Sequence, residues 1–287
     1  MLEMESKVLH DVISKVPISE GYGAITNLVG EGKPIWDYGC KIQSQNDEDG
    51  NIYYIFSVIG TKSKICFEAC AGDGIECNSA NLVLNHGFTG YMLDGNRQAI
   101  EKGVEFYKGR RCGDRAKFLY GWITKESISR FVDAVGLRGS EIDMLVMDID
   151  GNDYWILKEI MDNGLLNPRV VVVEYQDIIG PELALSIPYD PNFVAWKHDS
   201  WGGPNYCGAS LQAFIYLLKD RYAFVGCERL GFNGYFVRRD ELEGKEEKLM
   251  EMVDVTPCFQ FEKVQFGMMH RWSRTRHMEW IDVTKFS

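Results

Sequence analysis

Residues 64–74 read Lys-Ile-Cys-Phe-Glu-Ala-Cys-Ala-Gly-Asp-Gly, a short apolar run that ends in a carboxylate and leads into a glycine-containing turn. A helical stretch over 76–86 follows, so the segment has the pattern of a strand, a tight turn and a helix. Glycines let the backbone approach a ligand closely, and a helix N-terminus favours anionic groups. The segment therefore predicts a nucleotide-type cofactor at the turn.

The same alternation continues along the chain. Further apolar runs over 91–94, 117–120, 142–148 and 169–174 alternate with helical patterns over 96–107, 125–134, 152–163 and 210–219. Two more strands, 222–227 and 234–238, are separated only by a short turn, which permits a hairpin and no helical crossover. We expect an α/β fold: a Rossmann-like three-layer α/β/α sandwich around a mostly parallel seven-stranded sheet with an antiparallel strand 7.

The pattern divides the chain into three parts. Residues 1–60 are predicted to form an N-terminal helical and extended extension, with an amphipathic first helix and a strand at 52–56. Residues 61–240 form the main domain, in which the long aromatic and polar segment 176–208 is a predicted lid over a substrate. Residues 241–287 form a C-terminal extension whose Met and Trp side chains favour packing on the domain or a contact in a homodimer.

Composition excludes some classes of protein. A formal charge of −11 disfavours a nucleic-acid partner, and the cluster of Arg271, Arg274 and Arg276 is interpreted as a salt-bridged surface. The sequence has no apolar run long enough to span a membrane and no export signal at its start, so we expect a cytoplasmic protein. Eight scattered cysteines without a CxxC pair predict free thiols.

The glycine turn distinguishes between cofactor families. The dinucleotide fingerprint requires a third glycine where this chain has Cys77, which disfavours a nicotinamide-dependent dehydrogenase. Glu68, Gly72 and Gly74 match the pattern E-x-G-x-G-x-G, with Cys70 at the first glycine position. Together with the order of elements over residues 64–238, this motif resembles the class I methyltransferases that use S-adenosylmethionine (SAM), and most closely their FkbM-like branch.

The resemblance implies SAM as cofactor and S-adenosylhomocysteine as product. Asp94, at the end of the second strand, would bind the ribose hydroxyls, and Trp122 would lie near the adenine ring. Carried over by position, the predicted cofactor-binding residues are Glu68, Cys70, Ala71, Gly72, Asp73, Gly74, Asp94, Gly95, Trp122 and Asp148.

Residues 148–153 read Asp-Ile-Asp-Gly-Asn-Asp and resemble the D-x-[DE]-G-x-[DE] segment of the family, which lies beside the transferred methyl group. Asp148 and Asp150 are predicted to act as a general base or as an anchor for the acceptor. A divalent cation site is a second reading, which we do not favour. For Asp150 and Asp153, turn and helix capping is the structural alternative.

Further polar residues complete the predicted site. Glu174 ends an apolar strand at the same edge, and His198 in the lid has a side chain suited to proton transfer. The predicted catalytic residues are Asp148, Asp150, Glu174 and His198. The predicted substrate-binding residues are Asp150, Asn152, Asp153, Tyr175, Tyr189, Trp196, Trp201 and Tyr206.

These features predict an enzyme that transfers a methyl group from SAM to a hydroxyl or amine of a small-molecule acceptor. Two alternatives remain open: another SAM-using transferase or cyclase on the same fold, and a non-catalytic module that binds SAM or a nucleotide.

Overall fold

The computed structural model describes the backbone of residues 2–285 and the side chains of residues 6–285. Nine strands are formed in this range: β1 (Ile65–Ala69), β2 (Thr89–Asp94), β3 (Ala116–Tyr120), β4 (Ser140–Met147), β5 (Leu166–Glu174), β6 (Leu185–Ser186), β7 (Tyr222–Cys227), β8 (Asn233–Arg238) and β9 (Ile281–Asp282). Seven of them form one sheet in the order β3-β2-β1-β4-β5-β8-β7. Only β8 runs antiparallel to its neighbours β5 and β7. The predicted sheet is confirmed, and so is its antiparallel seventh strand, which is β8 in this numbering.

The described range contains eleven α-helices: α1 (Leu2–Lys15), α2 (Ile18–Val29), α3 (Glu48–Ile59), α4 (Ala80–Asn85), α5 (Arg97–Tyr107), α6 (Lys125–Ala134), α7 (Asp153–Asp162), α8 (Leu211–Leu218), α9 (Arg239–Leu242), α10 (Glu262–His270) and α11 (Trp272–Thr275). None of these helices combines the length and the apolar character that a membrane crossing requires.

The central strands are buried on both faces, which makes the three layers. Along β4, Met144 and Val146 pack with residues of α2 to α5, whereas Leu145 and Met147 pack with residues of α6 to α8. Alternate side chains of a strand point to opposite faces of a sheet, so a continuous apolar run fits a strand covered on both sides. The fold is Rossmann-like α/β.

Two sequence predictions about local structure are wrong. Residues 52–56 are not a strand but belong to α3, which packs against the sheet, with Asn51 Nδ2 donating to Tyr235 Oη at 3.1 Å. Helix α3 is buried on nearly all sides, so its sequence lacks the polar face that marks a surface helix. The helix predicted for 76–86 begins only at Ala80, because turns occupy the preceding residues.

At the amino edge of the sheet, a buried ion network joins several elements. Arg169 of β5 is fully buried; its Nη1 lies 2.7 Å from Asp143 Oδ1 and its Nη2 lies 2.6 Å from Glu241 Oε2. The guanidinium also donates to the main-chain oxygens of Ile59 and Gly60. The network therefore fixes the end of α3 to β4, β5 and α9, at the edge opposite to the glycine turn after β1.

The C-terminal part of the chain folds back over residues 176–208, which we call the lid. Strand β9 pairs with β6 in the lid, Tyr206 Oη donates to the main-chain oxygen of Glu279, and Arg274 Nε lies 2.6 Å from Asp199 Oδ2. The basic cluster in the tail thus contributes to salt bridges, as predicted for Arg271 and Arg274.

Candidate active site

The turn after β1 has an unusual backbone. Cys70, Gly72 and Gly74 have φ angles of 65°, 59° and 64°, the left-handed region that glycine adopts most easily. At Gly74 a Cβ would lie 2.5 Å from Met92 Sδ, so only glycine fits there. At Gly72 a Cβ would meet no atom within 4 Å, which leaves open space beside the backbone. The turn therefore exposes its main chain to a ligand on the Gly72 side.

Asp94 ties this turn to the end of β2. Its Oδ2 accepts a hydrogen bond from Gly72 N at 2.8 Å, and its Oδ1 accepts one from Asn96 N at 2.6 Å. The side chain is almost fully buried. Each carboxylate oxygen has a second lone pair, so Asp94 holds the turn and retains acceptor capacity for a ligand hydroxyl.

Two other acids of the turn are engaged within the protein. Glu68 is buried and accepts hydrogen bonds from Asn78 N, Ser79 N and Ser79 Oγ. Burial raises the pKa of Glu68, and these hydrogen bonds oppose that rise. Asp73 Oδ2 lies 2.5 Å from Lys102 Nζ. The amides just before α4 are therefore used by Glu68, and both acids shape the turn from within.

A small cavity of about 60 Å³ lies beside the turn, at the carboxyl edge of the sheet. Aromatic and aliphatic side chains form most of its walls, and Phe193 of the lid covers it. The lining residues are Cys70, Gly95, Trp122, Ile123, Ile149, Gly151, Asn152 and Phe193. Trp122 Nε1 donates to the main-chain oxygen of Pro191 at 2.8 Å, so the lid is attached directly to this cavity. A flat apolar ring is the kind of group that such walls accept.

A larger cavity of about 290 Å³ lies on the other side of the loop after β4. Its walls come from the ends of β4 and β5, the lid, the β7–β8 turn and both chain extensions. The lining residues are Gln45, Asp148, Asp150, Glu174, Tyr175, Gln176, Asp177, Trp196, Gly202, Gly203, Pro204, Cys207, Gly208, Phe232, Lys263 and Arg271. The volume suits a small metabolite.

Carboxyl groups dominate one wall of the larger cavity. The carboxyl groups of Asp148 and Glu174 lie within hydrogen-bonding reach of each other, and a hydrogen bond between them requires that one of them is protonated. Burial, with the negative charges of Asp153 and Asp150, raises the pKa of Asp148 to about 8. Burial and the charge of Asp148 also raise the pKa of Glu174. Such a pair can accept or release a proton near neutral pH, as a general acid or base must.

The loop that carries these acids is held by Asp153. Its buried carboxylate accepts hydrogen bonds from Ile149 N at 2.7 Å and from Gly151 N at 2.9 Å. Burial raises the pKa of Asp153 to about 6. Asp150, with a φ of 51°, instead directs its side chain to the larger cavity. The carboxylate of Asp153 thus holds the turn without capping α7, and Asp150 lies with the acids of β4 and β5.

The lid residues separate into two groups. Trp196 lines the larger cavity, as does Tyr175, which directly precedes the lid. His198 does not; it stacks on Phe193 with ring centroids 4.9 Å apart and packs edge-on against Tyr206. Tyr189 donates to Glu126 Oε2 at the start of α6, and Trp201 lies under Arg274. The structure does not bring His198, Tyr189 or Trp201 to the acids of the cavity.

Three residues of the larger cavity come from the extensions and were not predicted. Gln45 belongs to a loop whose amides at 42–44 are bound by Asp49 Oδ2 at 2.5–2.8 Å. Lys263 lies on α10, and Arg271 follows it. The local excess of positive charge over residues 271–276 was a signal for Arg271, but it does not show which cation faces a cavity.

The sequence predictions also concern the cysteines and the possible metal ligands. All eight cysteines are free, as expected. Among the side chains that the structure describes, no three or more His, Cys, Asp or Glu are grouped to hold a metal ion.

No protein-family model matches this chain, and no curated protein matches it. Solved structures that it resembles include a SAM-dependent methyltransferase from Aquifex aeolicus, with 11% identity, a TM-score of 0.38, and coverage of 65% of this chain and 88% of that one. A methyltransferase from Geobacter sulfurreducens shares 20% identity with a TM-score of 0.34 over 46% of this chain and 63% of that one. The CcbJ methyltransferase from Streptomyces caelestis shares 16% identity with a TM-score of 0.34, over 55% of this chain and 61% of that one. At these scores the fold assignment rests on the strand order of the sheet itself.

Proposed function

We propose that this protein is a SAM-dependent methyltransferase that acts on a hydroxyl or amine of a small molecule. One observation carries the proposal: the loop of Asp148 to Asn152 separates an apolar cavity beside the glycine turn from a charged cavity lined by acids. A direct group transfer requires a donor site and an acceptor site that adjoin, so that the reacting atoms can come into contact. The FkbM-like branch remains the family that the sequence motif favours.

The residues present fit SAM. Gly72 leaves open space beside an exposed backbone, Asp94 lies at the strand end with acceptor capacity for the ribose hydroxyls, and Trp122 offers a face for the purine. When bound, SAM supplies an activated methyl group on a sulfonium. The side chains then have three tasks: to align the acceptor, to exclude water under the lid, and to take up a proton at Asp148 and Glu174.

Binding measurements test this function. We expect calorimetric titration to give micromolar dissociation constants for SAM and S-adenosylhomocysteine, and no binding of NAD. Asp94→Asn keeps the size of the side chain but removes its charge. We expect this variant to bind S-adenosylhomocysteine at least about tenfold more weakly than the parent protein. Asp114→Asn, which removes the charge of an exposed acid, is the matched control. Binding of NAD without SAM or its product would contradict the proposal.

A further inference from the structure

The two walls of the larger cavity carry opposite charges. Asp148, Asp150 and Glu174 form the wall at the sheet edge, whereas Lys263 and Arg271 reach the cavity from α10 and the residue after it. Asp177 partly offsets the second wall, with its Oδ1 3.7 Å from Arg271 Nη1. Two cations against one carboxylate still leave that wall with a net positive charge.

The cationic wall has unused hydrogen-bonding capacity. Arg271 Nε donates to Asn205 Oδ1 at 2.6 Å, but its Nη2 has no acceptor among the side chains and backbone described for residues 6–285. The side chain of Arg271 is only 12% exposed, so water reaches it mainly through the cavity. Asp177 is 2% exposed, and its Oδ2 is buried without a partner in the same part of the chain. An unpaired guanidinium donor in such a place costs free energy, which a ligand carboxylate at Arg271 would recover, whereas Asp177 Oδ2 would need a donor.

Among the described residues that line the cavity, the acidic wall has no Lys or Arg. The charges that act on Asp148 and Glu174 come from other carboxylates, and those carboxylates raise the pKa of both residues. A positively charged ligand group would reverse this effect by favouring the ionised forms. Lys263 lies on the other wall, with its ammonium 4.2 Å from the centre of the Phe232 ring, which also lines the cavity.

We propose that the acceptor is a small zwitterion that places its amino group at Asp148, Asp150 and Glu174 and its carboxylate at Arg271 and Lys263. This inference rests on the proposed methyltransferase function and identifies the class of its acceptor. The remaining walls include the aromatic rings of Tyr175, Trp196 and Phe232, which favour an aromatic side chain. An aromatic amino acid is the simplest molecule with all three features.

The transfer balances in charge and atoms. The acceptor ammonium first gives one proton to an ionised carboxylate of the acidic wall, which later releases it to water. The lone pair of the nitrogen then forms the new N–C bond while the S–C bond breaks and leaves its electron pair on sulfur. The positive charge passes from the sulfonium to the methylated nitrogen.

Calorimetry with saturating S-adenosylhomocysteine tests the acceptor class. The probes are phenylalanine, tyrosine and tryptophan, each compared with its decarboxylated amine and its deaminated propionate. We expect at least one amino acid to bind at least about tenfold more tightly than both of its analogues. Arg271→Gln and Lys263→Gln should each reduce the preference over the amine and leave binding of the amine unchanged. Arg276→Gln removes the same charge from an exposed site on the same segment and should have no effect.

The two proposals fail in different ways. If neither SAM nor S-adenosylhomocysteine binds, the methyltransferase function itself is wrong. If S-adenosylhomocysteine binds but no amino acid does, or the amines bind as tightly as the amino acids, the zwitterion proposal is overturned and the function stands. Because Arg271 also contacts the lid, Lys263→Gln provides an independent test, and S-adenosylhomocysteine binding reports whether each variant is folded.

Discussion

Asn152 Nδ2 donates a hydrogen bond to the main-chain oxygen of Asp190 at 2.7 Å, and Asp190 N lies 3.3 Å from Asn152 Oδ1. The two hydrogen bonds join the loop after β4 to the lid. Asn152 is buried, and its side chain does not cap α7. Its side-chain amide instead forms the hydrogen bonds to the lid. The position of the lid is thereby coupled to the loop that separates the two cavities.

Replacement of Asn152 by Ala should loosen the lid. Two hydrogen bonds are lost, each worth about 0.5–1.5 kcal/mol, so we expect S-adenosylhomocysteine to bind about tenfold more weakly. Amide hydrogen exchange over residues 189–194 should become faster. Asn192→Ala, at an exposed position of the same segment, is the control and should change neither quantity. Unchanged exchange in Asn152→Ala would show that other contacts hold the lid.

Cys70 has a left-handed backbone at the place where the family motif has glycine. A non-glycine residue in this region costs about 1–2 kcal/mol, part of which the greater flexibility of glycine in the unfolded chain offsets. Cys70→Gly should therefore raise the free energy of unfolding by roughly 0.5–1 kcal/mol in urea titrations. Cys70→Ala removes the thiol without relieving the backbone and should stay within about 0.5 kcal/mol of the parent. Equal effects of the two substitutions would argue against backbone strain.

The raised pKa of Asp148 makes stability depend on pH. The folded protein keeps this proton up to about pH 8, whereas the unfolded chain loses it near pH 4, so folding takes up a proton between these values. Stability from this group is therefore lost as pH rises from 5 to 8. Asp148→Asn removes this titrating group. The unfolding temperature of the variant minus that of the parent should therefore be a few degrees higher at pH 8 than at pH 5. Asp114→Asn is the control, and its difference from the parent should be the same at pH 5 and pH 8. If Asp148→Asn also differed from the parent by the same amount at both pH values, the raised pKa of Asp148 would be refuted.

Arg169 is buried between Asp143 and Glu241. Its loss leaves the buried Asp143 without a cation, whereas Lys62 and Arg238 still pair with Glu241. Arg169→Met should lower the free energy of unfolding by about 3–5 kcal/mol, because breaking a buried ion pair on one side leaves an uncompensated charge. Arg138 forms an exposed salt bridge with Asp133, so Arg138→Met should have a much smaller effect. Urea unfolding of the three proteins measures both values. Similar small losses would mean that Asp143 and Glu241 find other partners.

The sheet could be predicted because its strands have a strong local signal. Runs such as Ile142–Met147 are buried on both faces and are bounded by turns, so a window of a few residues identifies them. Helix α3 could not, because burial of residues such as Asn51 and Tyr54 removes the polar stripe that sets the helical period. The antiparallel direction of β8 could be predicted because the turn between β7 and β8 is too short for a helical crossover.

The candidate site was predictable mainly where strands end. Asp94, Asp148 and Glu174 follow or close parallel strands, and the ends of such strands meet at one edge of the sheet. Gln45 and Arg271 come from the extensions, whose place over the sheet depends on tertiary packing and leaves no local pattern. His198 shows the opposite error: its chemistry suits a base, but aromatic stacking in the lid takes it elsewhere.

The pairing of β6 with β9 has a consequence for how the protein is made. Strand β9 follows every strand of the seven-stranded sheet in the chain, so during synthesis the sheet can form before the lid has its partner. In a nascent chain, the crevice at the carboxyl edge of the sheet would therefore be open to solvent. The lid can be held in place only after residue 282 has been synthesised and β9 can pair with β6.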